Sequence, residues 1–327
     1  MRYSIVFPGQ GSQYTGMSSA VMKKNPEAVH IFEEASDVLG LDLHGMIEKT
    51  SMKEITKSEN AQPAVLTTSY ALFRTFINSV EVMPKSLAGH SLGEITALVC
   101  AKSIPFAQGV AFARDRGKIM QKALDDNKGF TGVVTDLTVA QVEGLLEEAK
   151  KMGYVAITGY NSPKQLILGG ERRALRVLDD AVDEAGGQFI PFRMIPMKAD
   201  APYHSELMSD IEPMVKDIVD GIRFSKPIYT IWSSVTGSII KSETAIPQIL
   251  IKQLISPIQW MQALNGISED GVDFIVDIGP NKIMRNLAGE YENLPVSLAY
   301  DDEPDFETIK RHFQYEPQND LKMVYTL

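Results

Sequence analysis

Residues 89–93 read Gly-His-Ser-Leu-Gly, a G-x-S-x-G motif that restricts the possible fold more than any other feature of this chain. Residues 86–89 look like the end of a buried strand, and residues 92–101 have the composition of a helix. A serine at such a strand-to-helix turn sits at a helix N-terminus, where a free N–H group can stabilise an oxyanion. The motif predicts an α/β fold with Ser91 as a nucleophile, although a glycine-rich turn without chemistry has the same pattern.

A nucleophilic serine needs a general base, and the chain contains five histidines: His30, His44, His90, His204 and His312. His90 is the neighbour of Ser91 in the chain, so its ring should point away from the serine oxygen. His204 follows Pro202, which excludes a regular helix before it and predicts a loop that could face a cleft. We therefore predict His204 as the base, with a structural surface histidine as the alternative.

Strand-like and helix-like segments alternate along the chain, which is typical of an α/β domain. Residues 3–7 predict a buried strand, and residues 62–80 and 105–124 predict helices. Between residues 128 and 197 the order becomes β-α-β-β-α-β, the order of a ferredoxin-like unit. We predict a large α/β-hydrolase-like domain with a parallel sheet, made of residues 1–127 and 198–327, and an inserted ferredoxin-like α+β subdomain at residues 128–197.

The predicted insert has clear local signals. Thr138 followed by Gln141 has the spacing of a capping box and predicts the start of a helix over residues 138–152. A second helix is predicted over residues 171–185. Strands are predicted at residues 132–134, 154–158, 165–168 and 189–192, with a turn at residues 161–163.

Composition excludes several classes of protein. The net charge of −10 argues against nucleic acid as a partner, because binding to phosphates needs a basic surface. No apolar stretch approaches the roughly 18–20 residues that span a bilayer, and the N-terminus lacks the apolar core of a signal peptide. The single cysteine, Cys100, cannot form an internal disulfide, which fits a reducing, cytoplasmic setting. We expect no metal site.

Two further segments could belong to a site. Arg116 could lie in a cleft and hold a carboxylate through two parallel hydrogen bonds, although a charged helix residue is more often solvated. Residues 7–13, Phe-Pro-Gly-Gln-Gly-Ser-Gln, follow the first predicted strand. Their spacing does not match known phosphate-binding loops, so we interpret them as a tight turn whose N–H groups face a site.

Together these segments resemble the malonyl-CoA:acyl-carrier-protein transacylase family, which includes discrete, trans-acting acyltransferases of fatty-acid and polyketide synthesis. The resemblance covers nearly the whole chain. Its motifs are FPGQGSQ at 7–13, NAQPA at 60–64, GHSLGE at 89–94, RGKIMQ at 116–121, YNSP at 160–163, YHS at 203–205, QL at 253–254 with Pro257, Gln259 and Trp260, and DIGP at 277–280.

The resemblance implies a role for each matched residue. Ser91 would be the nucleophile and His204 its base, a Ser-His dyad. The backbone N–H groups of Gln10 and Leu92 would form the oxyanion hole, and Arg116 would bind the free carboxylate of malonyl. The main-chain carbonyl of Gln253 would orient His204. Two further residues, Gln62 and Asn161, would line the substrate cleft.

The resemblance also implies a ping-pong reaction with no bound cofactor, in which a coenzyme A thioester is the substrate. Malonyl would pass from malonyl-CoA to Ser91 and then to the phosphopantetheine thiol of an acyl carrier protein. The chain would act as a monomer on a separate carrier protein. Lys282 and Arg285 could form a local basic surface for that carrier, which is usually acidic.

The chain departs from the family pattern at Tyr203, where phenylalanine or serine is common. A bulky ring favours an unbranched acyl group. The hydroxyls of Tyr203 and Thr131 could instead bind a polar substituent, as in hydroxymalonyl or aminomalonyl.

Three alternative functions remain: a hydrolase that removes acyl groups from carrier proteins, an α/β-hydrolase-type esterase, and an inactive carrier-binding module. The first should lack Arg116, and the second needs an acid and a loop that this chain does not match.

Overall fold

The computed structural model describes residues 1–196 and 199–314, which fold as two β-sheets with flanking helices. The strands are β1 Tyr3–Phe7, β2 Ser86–Gly89, β3 Phe130–Thr135, β4 Val155–Ser162, β5 Gln165–Gly170, β6 Gln188–Pro191, β7 Thr230–Trp232, β8 Phe274–Asp277 and β9 Val296–Ala299. The α-helices are α1 Met17–Lys24, α2 Val29–Leu39, α3 Leu43–Lys49, α4 Met52–Thr56, α5 Ser58–Asn78, α6 Leu92–Cys100, α7 Phe106–Asp125, α8 Val139–Ala149, α9 Arg172–Glu184, α10 Glu212–Val219, α11 Ile246–Lys252, α12 Trp260–Glu269, α13 Ile283–Ala288 and α14 Glu303–His312.

The larger sheet is parallel, with the strand order β7-β2-β1-β8-β9. All five residues of β1 are buried, because helices cover both faces of the sheet. Strands β1 and β2 run side by side, so the loops after Phe7 and Gly89 leave the sheet at the same edge. This geometry places the FPGQGSQ loop beside the G-x-S-x-G turn.

The smaller sheet is antiparallel, with the order β4-β5-β3-β6. Helices α8 and α9 pack on it around a separate apolar cluster that includes Val142, Leu168 and Leu178. The predicted β-α-β-β-α-β order and the parallel main sheet are confirmed. The boundaries at 128 and 197 stay a prediction, and the second boundary lies at Met197 and Lys198, outside the described residues.

Strand β4 also contacts the segment that follows β7 and α11. Gly159 pairs with Ile258 in an isolated parallel bridge. The N–H of Tyr160 donates to the Ile258 carbonyl at 2.8 Å, and the N–H of Ile258 donates to the Thr158 carbonyl at 3.0 Å. Main-chain hydrogen bonds therefore join the small sheet to a loop residue, Ile258, that belongs to the same apolar cluster as Val6 and Ala88 of the large sheet.

Helix α5 begins at Ser58, four residues before the predicted start, and contains Pro63. Pro63 has no N–H, so the Glu59 carbonyl loses its normal partner within the helix. The Arg114 guanidinium donates to that carbonyl at 2.7 Å and also to Asn60 Oδ1 at 2.6 Å. A residue from α7 therefore compensates for the proline, which the local sequence could not indicate.

The predicted turn at residues 161–163 is wrong in part, because β4 continues to Ser162. Two register shifts interrupt its pairing with β5, between Ile157 and Gly159 and between Tyr160 and Ser162. Such bulges redirect side chains and are common beside functional sites. The first predicted helix of the insert is confirmed over Val139–Ala149, and its capping box is formed by Thr138 and Gln141.

Among the described residues, no helix is long and apolar enough to cross a membrane.

Candidate active site

Ser91 lies at the sharp turn between β2 and α6, with φ 53° and ψ −108°. This left-handed conformation is strained for a residue with a side chain, and such strain is concentrated at functional sites. The turn is also crowded. A Cβ atom on Gly89 would lie 1.9 Å from the Gly93 carbonyl carbon, and one on Gly93 would lie 2.2 Å from the Phe7 carbonyl oxygen. The two glycines are therefore required by close contacts between backbone segments.

His204 faces this serine across the cavity. Its Nε2 atom lies 3.0 Å from Ser91 Oγ, and its Nδ1 atom lies 2.7 Å from the main-chain oxygen of Gln253. A carbonyl oxygen only accepts hydrogen bonds, so Nδ1 carries the proton and the lone pair of Nε2 points to the serine hydroxyl. The N–H of His204 also donates to the Leu254 carbonyl at 2.8 Å, which holds its backbone in place.

The environment keeps the His204 ring neutral. Burial, reinforced by the positive charge of Arg116, lowers the pKa of His204 to about 3. The hydrogen bond to the Gln253 carbonyl opposes this shift but does not overcome it. Both Ser91 and His204 keep partial exposure to the cavity. The ring is therefore free to accept a proton at ordinary pH.

Arg116 reaches the same oxygen from the centre of α7 and is only 1% exposed. One nitrogen, Nη1, donates to Gln62 Oε1 at 2.7 Å. The other, Nη2, donates to Ser91 Oγ at 3.1 Å and to Gln253 Oε1 at 2.9 Å. All three acceptors are neutral, and burial lowers the pKa of Arg116 to about 10. A buried guanidinium with only neutral acceptors is suited to bind an anion.

The resemblance assigns the N–H groups of Gln10 and Leu92 to an oxyanion hole. Leu92 is the first residue of α6, so its N–H has no acceptor within the helix. Gln10 follows β1 and lines the cavity. Its amide nitrogen donates to Ser58 Oγ at 3.0 Å, and its oxygen accepts a longer bond from Gln62 Nε2 at 3.4 Å. These contacts fix the loop that carries the Gln10 N–H.

Asn161 and Tyr203 also line the cavity. Asn161 Oδ1 lies 2.9 Å from Nε2 of His90, so the redirected strand β4 contacts the residue next to the serine. Tyr203 donates its hydroxyl proton to the Met120 carbonyl at 2.6 Å, and Thr131 donates its own to the Ala201 carbonyl at 2.6 Å. Both hydroxyl protons are therefore already used by main-chain acceptors.

The cavity has a volume of about 110 Å³ and lies between the two sheets. Residues of the small sheet form one wall, and residues from the loops of the large sheet form the other. The lining residues are Gln10, His90, Ser91, Met120, Thr131, Thr158, Gly159, Asn161, Ile167, Phe192, Ala199, Ala201, Tyr203, His204 and Ile258. Arg116, Gln62 and Gln253 are buried behind this lining, and Arg116 reaches it through Ser91 Oγ.

Glu94 is a residue whose place in the site the sequence analysis missed. It is fully buried in α6, and its Oε2 atom accepts from Gln253 Nε2 at 2.8 Å. The sequence does carry a signal for it, because Glu94 is the only charged residue in a largely apolar helix.

Lys282 and Arg285, the two residues suggested as a basic surface for a carrier protein, form ion pairs. Lys282 pairs with Asp302 at 2.6 Å and Arg285 with Asp305 at 3.1 Å, so local acids offset both charges.

A serine at a strand-to-helix turn, a neutral histidine and a buried arginine meet at one oxygen, an arrangement that is suited to acyl transfer. Residues 4–291 match the acyl transferase domain family. The malonyl CoA-acyl carrier protein transacylase of Salmonella typhimurium is 33% identical over 286 residues, which cover 88% of this chain and 91% of that protein. The protein of the same name from Bacillus subtilis strain 168 is 29% identical over 97% of this chain and 99% of its own length.

Solved structures agree with the sequence comparison. A malonyl-transacylase in complex with its type II PKS acyl-carrier protein has a TM-score of 0.88 and 32% identity, over 94% of this chain and 98% of that one. FabD from Acinetobacter baumannii has a TM-score of 0.88 and 28% identity, over 96% of this chain and 98% of that one. The chain belongs to the acyl transferase domain family and, within it, to the malonyl CoA-acyl carrier protein transacylases.

Proposed function

We propose that this chain moves a malonyl group from malonyl-CoA onto Ser91 and then onto the phosphopantetheine thiol of an acyl carrier protein. The observation that supports it best is the convergence on one oxygen. Ser91 Oγ lies 3.0 Å from the neutral nitrogen of His204 and 3.1 Å from the guanidinium of Arg116. A nucleophile, its base and a buried guanidinium that could bind a carboxylate thus meet at one oxygen that lines the cavity.

In the first half-reaction, His204 Nε2 accepts the hydroxyl proton while Ser91 Oγ attacks the thioester carbonyl carbon. The resulting oxyanion accepts hydrogen bonds from the N–H groups of Gln10 and Leu92. The C–S bond breaks, and coenzyme A leaves with the proton that His204 returns. In the second half-reaction, the carrier thiol gives its proton to His204, attacks the malonyl-serine ester and releases Ser91 with its hydroxyl proton restored.

The dyad works without an acidic third residue because the Gln253 carbonyl holds the Nδ1 proton of His204 at 2.7 Å. That contact selects the tautomer and orients the ring. A neutral carbonyl stabilises the imidazolium less than a carboxylate does. The positive charge of Arg116 destabilises the imidazolium form of His204 further, until a substrate carboxylate offsets that charge.

The same charge supports selectivity for carboxylated acyl groups. A malonyl carboxylate can replace neutral acceptors around Arg116 with a charge-assisted pair, whereas acetyl leaves the guanidinium as it is. The two hydroxyls that could bind a polar substituent, those of Tyr203 and Thr131, already donate to carbonyls. This favours malonyl over hydroxymalonyl or aminomalonyl. The presence of Arg116 likewise favours transfer over editing by hydrolysis.

Intact-protein mass spectrometry tests the proposal. We expect brief exposure to malonyl-CoA to add one malonyl mass, which moves onto added carrier protein and does not form in the Ser91→Ala variant. Methylmalonyl-CoA and acetyl-CoA should give less adduct. Labelling that persists in Ser91→Ala would remove the serine from this role, and an adduct that is only hydrolysed would indicate the editing activity instead.

A further inference from the structure

Glu94 and Arg116 are two fully buried charged side chains of the site, and an amide lies between them. The side chain of Gln253 accepts from Arg116 Nη2 at 2.9 Å through its oxygen. Through its nitrogen it donates to Glu94 Oε2 at 2.8 Å and to the Ser91 carbonyl at 3.1 Å. Gln253 is thus a neutral bridge between an arginine and a glutamate that do not bond directly.

This arrangement reduces the energetic cost of burying Arg116. Burying one charge without a partner is costly, and the direct acceptors of Arg116 are all neutral. Ser234 Oγ donates at 3.1 Å to the same Glu94 Oε2 atom that Gln253 contacts, whereas Oε1 has no hydrogen-bond partner among the described residues. Burial raises the pKa of Glu94, and the donors on the carboxylate oppose that rise. A polarised amide between the two charges aligns its dipole with both.

Gln253 also contacts His204. The main-chain oxygen of Gln253 accepts the Nδ1 proton of His204. Fixing the Gln253 side chain at both ends therefore fixes the residue that orients the base. Glu94 is not among the lining residues of the cavity, and its carboxylate contacts Gln253 and Ser234 rather than Ser91 Oγ.

We propose that Glu94 is the internal counterion of Arg116 and a positioning residue that acts through Gln253. It offsets the guanidinium charge while no substrate carboxylate is bound. It also limits how strongly Arg116 disfavours a positive charge on His204. The kinetic consequences rest on the proposed function, whereas the pairing of charges does not.

The first test is a stability cycle that needs no activity. Glu94→Gln preserves shape and an acceptor oxygen but removes the charge, so it should lower the Tm of the wild-type chain by several degrees. In an Arg116→Met background the carboxylate has no counterion, and there Glu94→Gln should raise Tm. Thr96→Val, a buried polar change on the same helix, should shift Tm equally in both backgrounds. Equal losses for Glu94→Gln in both backgrounds would overturn the pairing.

The second test is kinetic selectivity. In the Glu94→Gln variant no buried carboxylate offsets the positive charge of Arg116. The guanidinium should then bind the malonyl carboxylate more tightly, so the KM for malonyl-CoA should fall. Acetyl transfer, which has no carboxylate to offset the charge, should slow more than malonyl transfer. We expect the malonyl/acetyl ratio of kcat/KM to rise by about threefold to tenfold. If the substitution only loosens the site, the KM for malonyl-CoA should rise and the malonyl/acetyl ratio should fall. Either that result or an unchanged ratio would overturn the kinetic role of Glu94. A wild-type chain that transfers no malonyl would refute the proposed function and leave the stability cycle to decide the pairing.

Discussion

Nη2 of Arg116 donates a hydrogen bond of 3.1 Å to Oγ of Ser91. The group that we propose for substrate selection thus touches the atom that we propose as the nucleophile. When a substrate carboxylate binds Arg116, it competes with this contact. In the proposed reaction, carboxylate binding and the release of a serine lone pair would therefore be coupled through this contact.

The Arg116→Ala variant should lose malonyl transfer by about 10- to 100-fold, because a charge-assisted pair is removed. Acetyl transfer should be affected less, so the malonyl/acetyl ratio of kcat/KM falls. Steady-state kinetics with both thioesters measure this change. Lys118→Ala is the matched control, since Lys118 lies on the same helix and pairs on the surface with Asp115. An unchanged ratio in Arg116→Ala would remove the arginine from the mechanism.

The pH dependence of Ser91 acylation should reflect the lowered pKa of His204. Burial and Arg116 hold that pKa at about 3, so the ring is neutral and active above it. The rate of acetyl adduct formation should stay level from about pH 8 to about pH 5. In Arg116→Ala the pKa of His204 rises, so the acid loss of activity moves to higher pH. Rapid-quench mass spectrometry measures both profiles, and identical profiles would contradict the assignment of the shift to Arg116.

Tyr203 should limit the size of the acyl group. Its ring lines the cavity, so Tyr203→Ser opens space beside Ser91 and His204. We expect this variant to form a methylmalonyl adduct that the wild type forms poorly. Tyr203→Phe keeps the ring and should keep the preference for unbranched groups. Equal methylmalonyl labelling of all three proteins would show that another residue sets the limit.

Substitution by alanine should lower the Tm at a glycine of the serine turn and raise it at a surface glycine. Gly93→Ala places a Cβ atom 2.2 Å from the Phe7 carbonyl oxygen, so Tm should fall by several degrees. Gly144 lies on the exposed side of α8, and a Cβ atom added there would meet no neighbouring atom within 4 Å. Gly144→Ala should raise Tm by about 1–2 °C through helix propensity. Thermal denaturation followed by circular dichroism compares the two variants.

Local patterns predicted the regular elements well, because their signals lie within a few residues. Strand β1 is a short apolar run before Pro8 and has its predicted bounds, whereas residues 86–89, predicted as the end of a strand, form the whole of β2. The start of α5 was missed, because Pro63 argues for a later start and only Arg114, from another helix, shows how the proline is tolerated. The bulges of β4 were missed for a similar reason, since pairing with β5 decides them.

The family resemblance implies the Ser91–His204 pair and the contact of the Gln253 carbonyl with His204, but not the side-chain hydrogen bonds around Arg116. Ser91 and His204 are 113 residues apart in the chain, and Arg116 and Gln253 are 137 apart. No local rule predicts that one glutamine side chain touches both an arginine and Glu94. The hypothesis of a basic surface at Lys282 and Arg285 also failed to include their aspartate partners, which come from a later loop and helix.

The bridge between Gly159 and Ile258 has a consequence for engineering. Ile258 follows Gln253 by only a few residues, so the small sheet is bonded to the segment that orients His204. A chimaera that exchanges the insert between relatives should therefore exchange residues 253–258 with it. Exchange of the insert alone would place a foreign strand edge against the segment that orients His204, the proposed base.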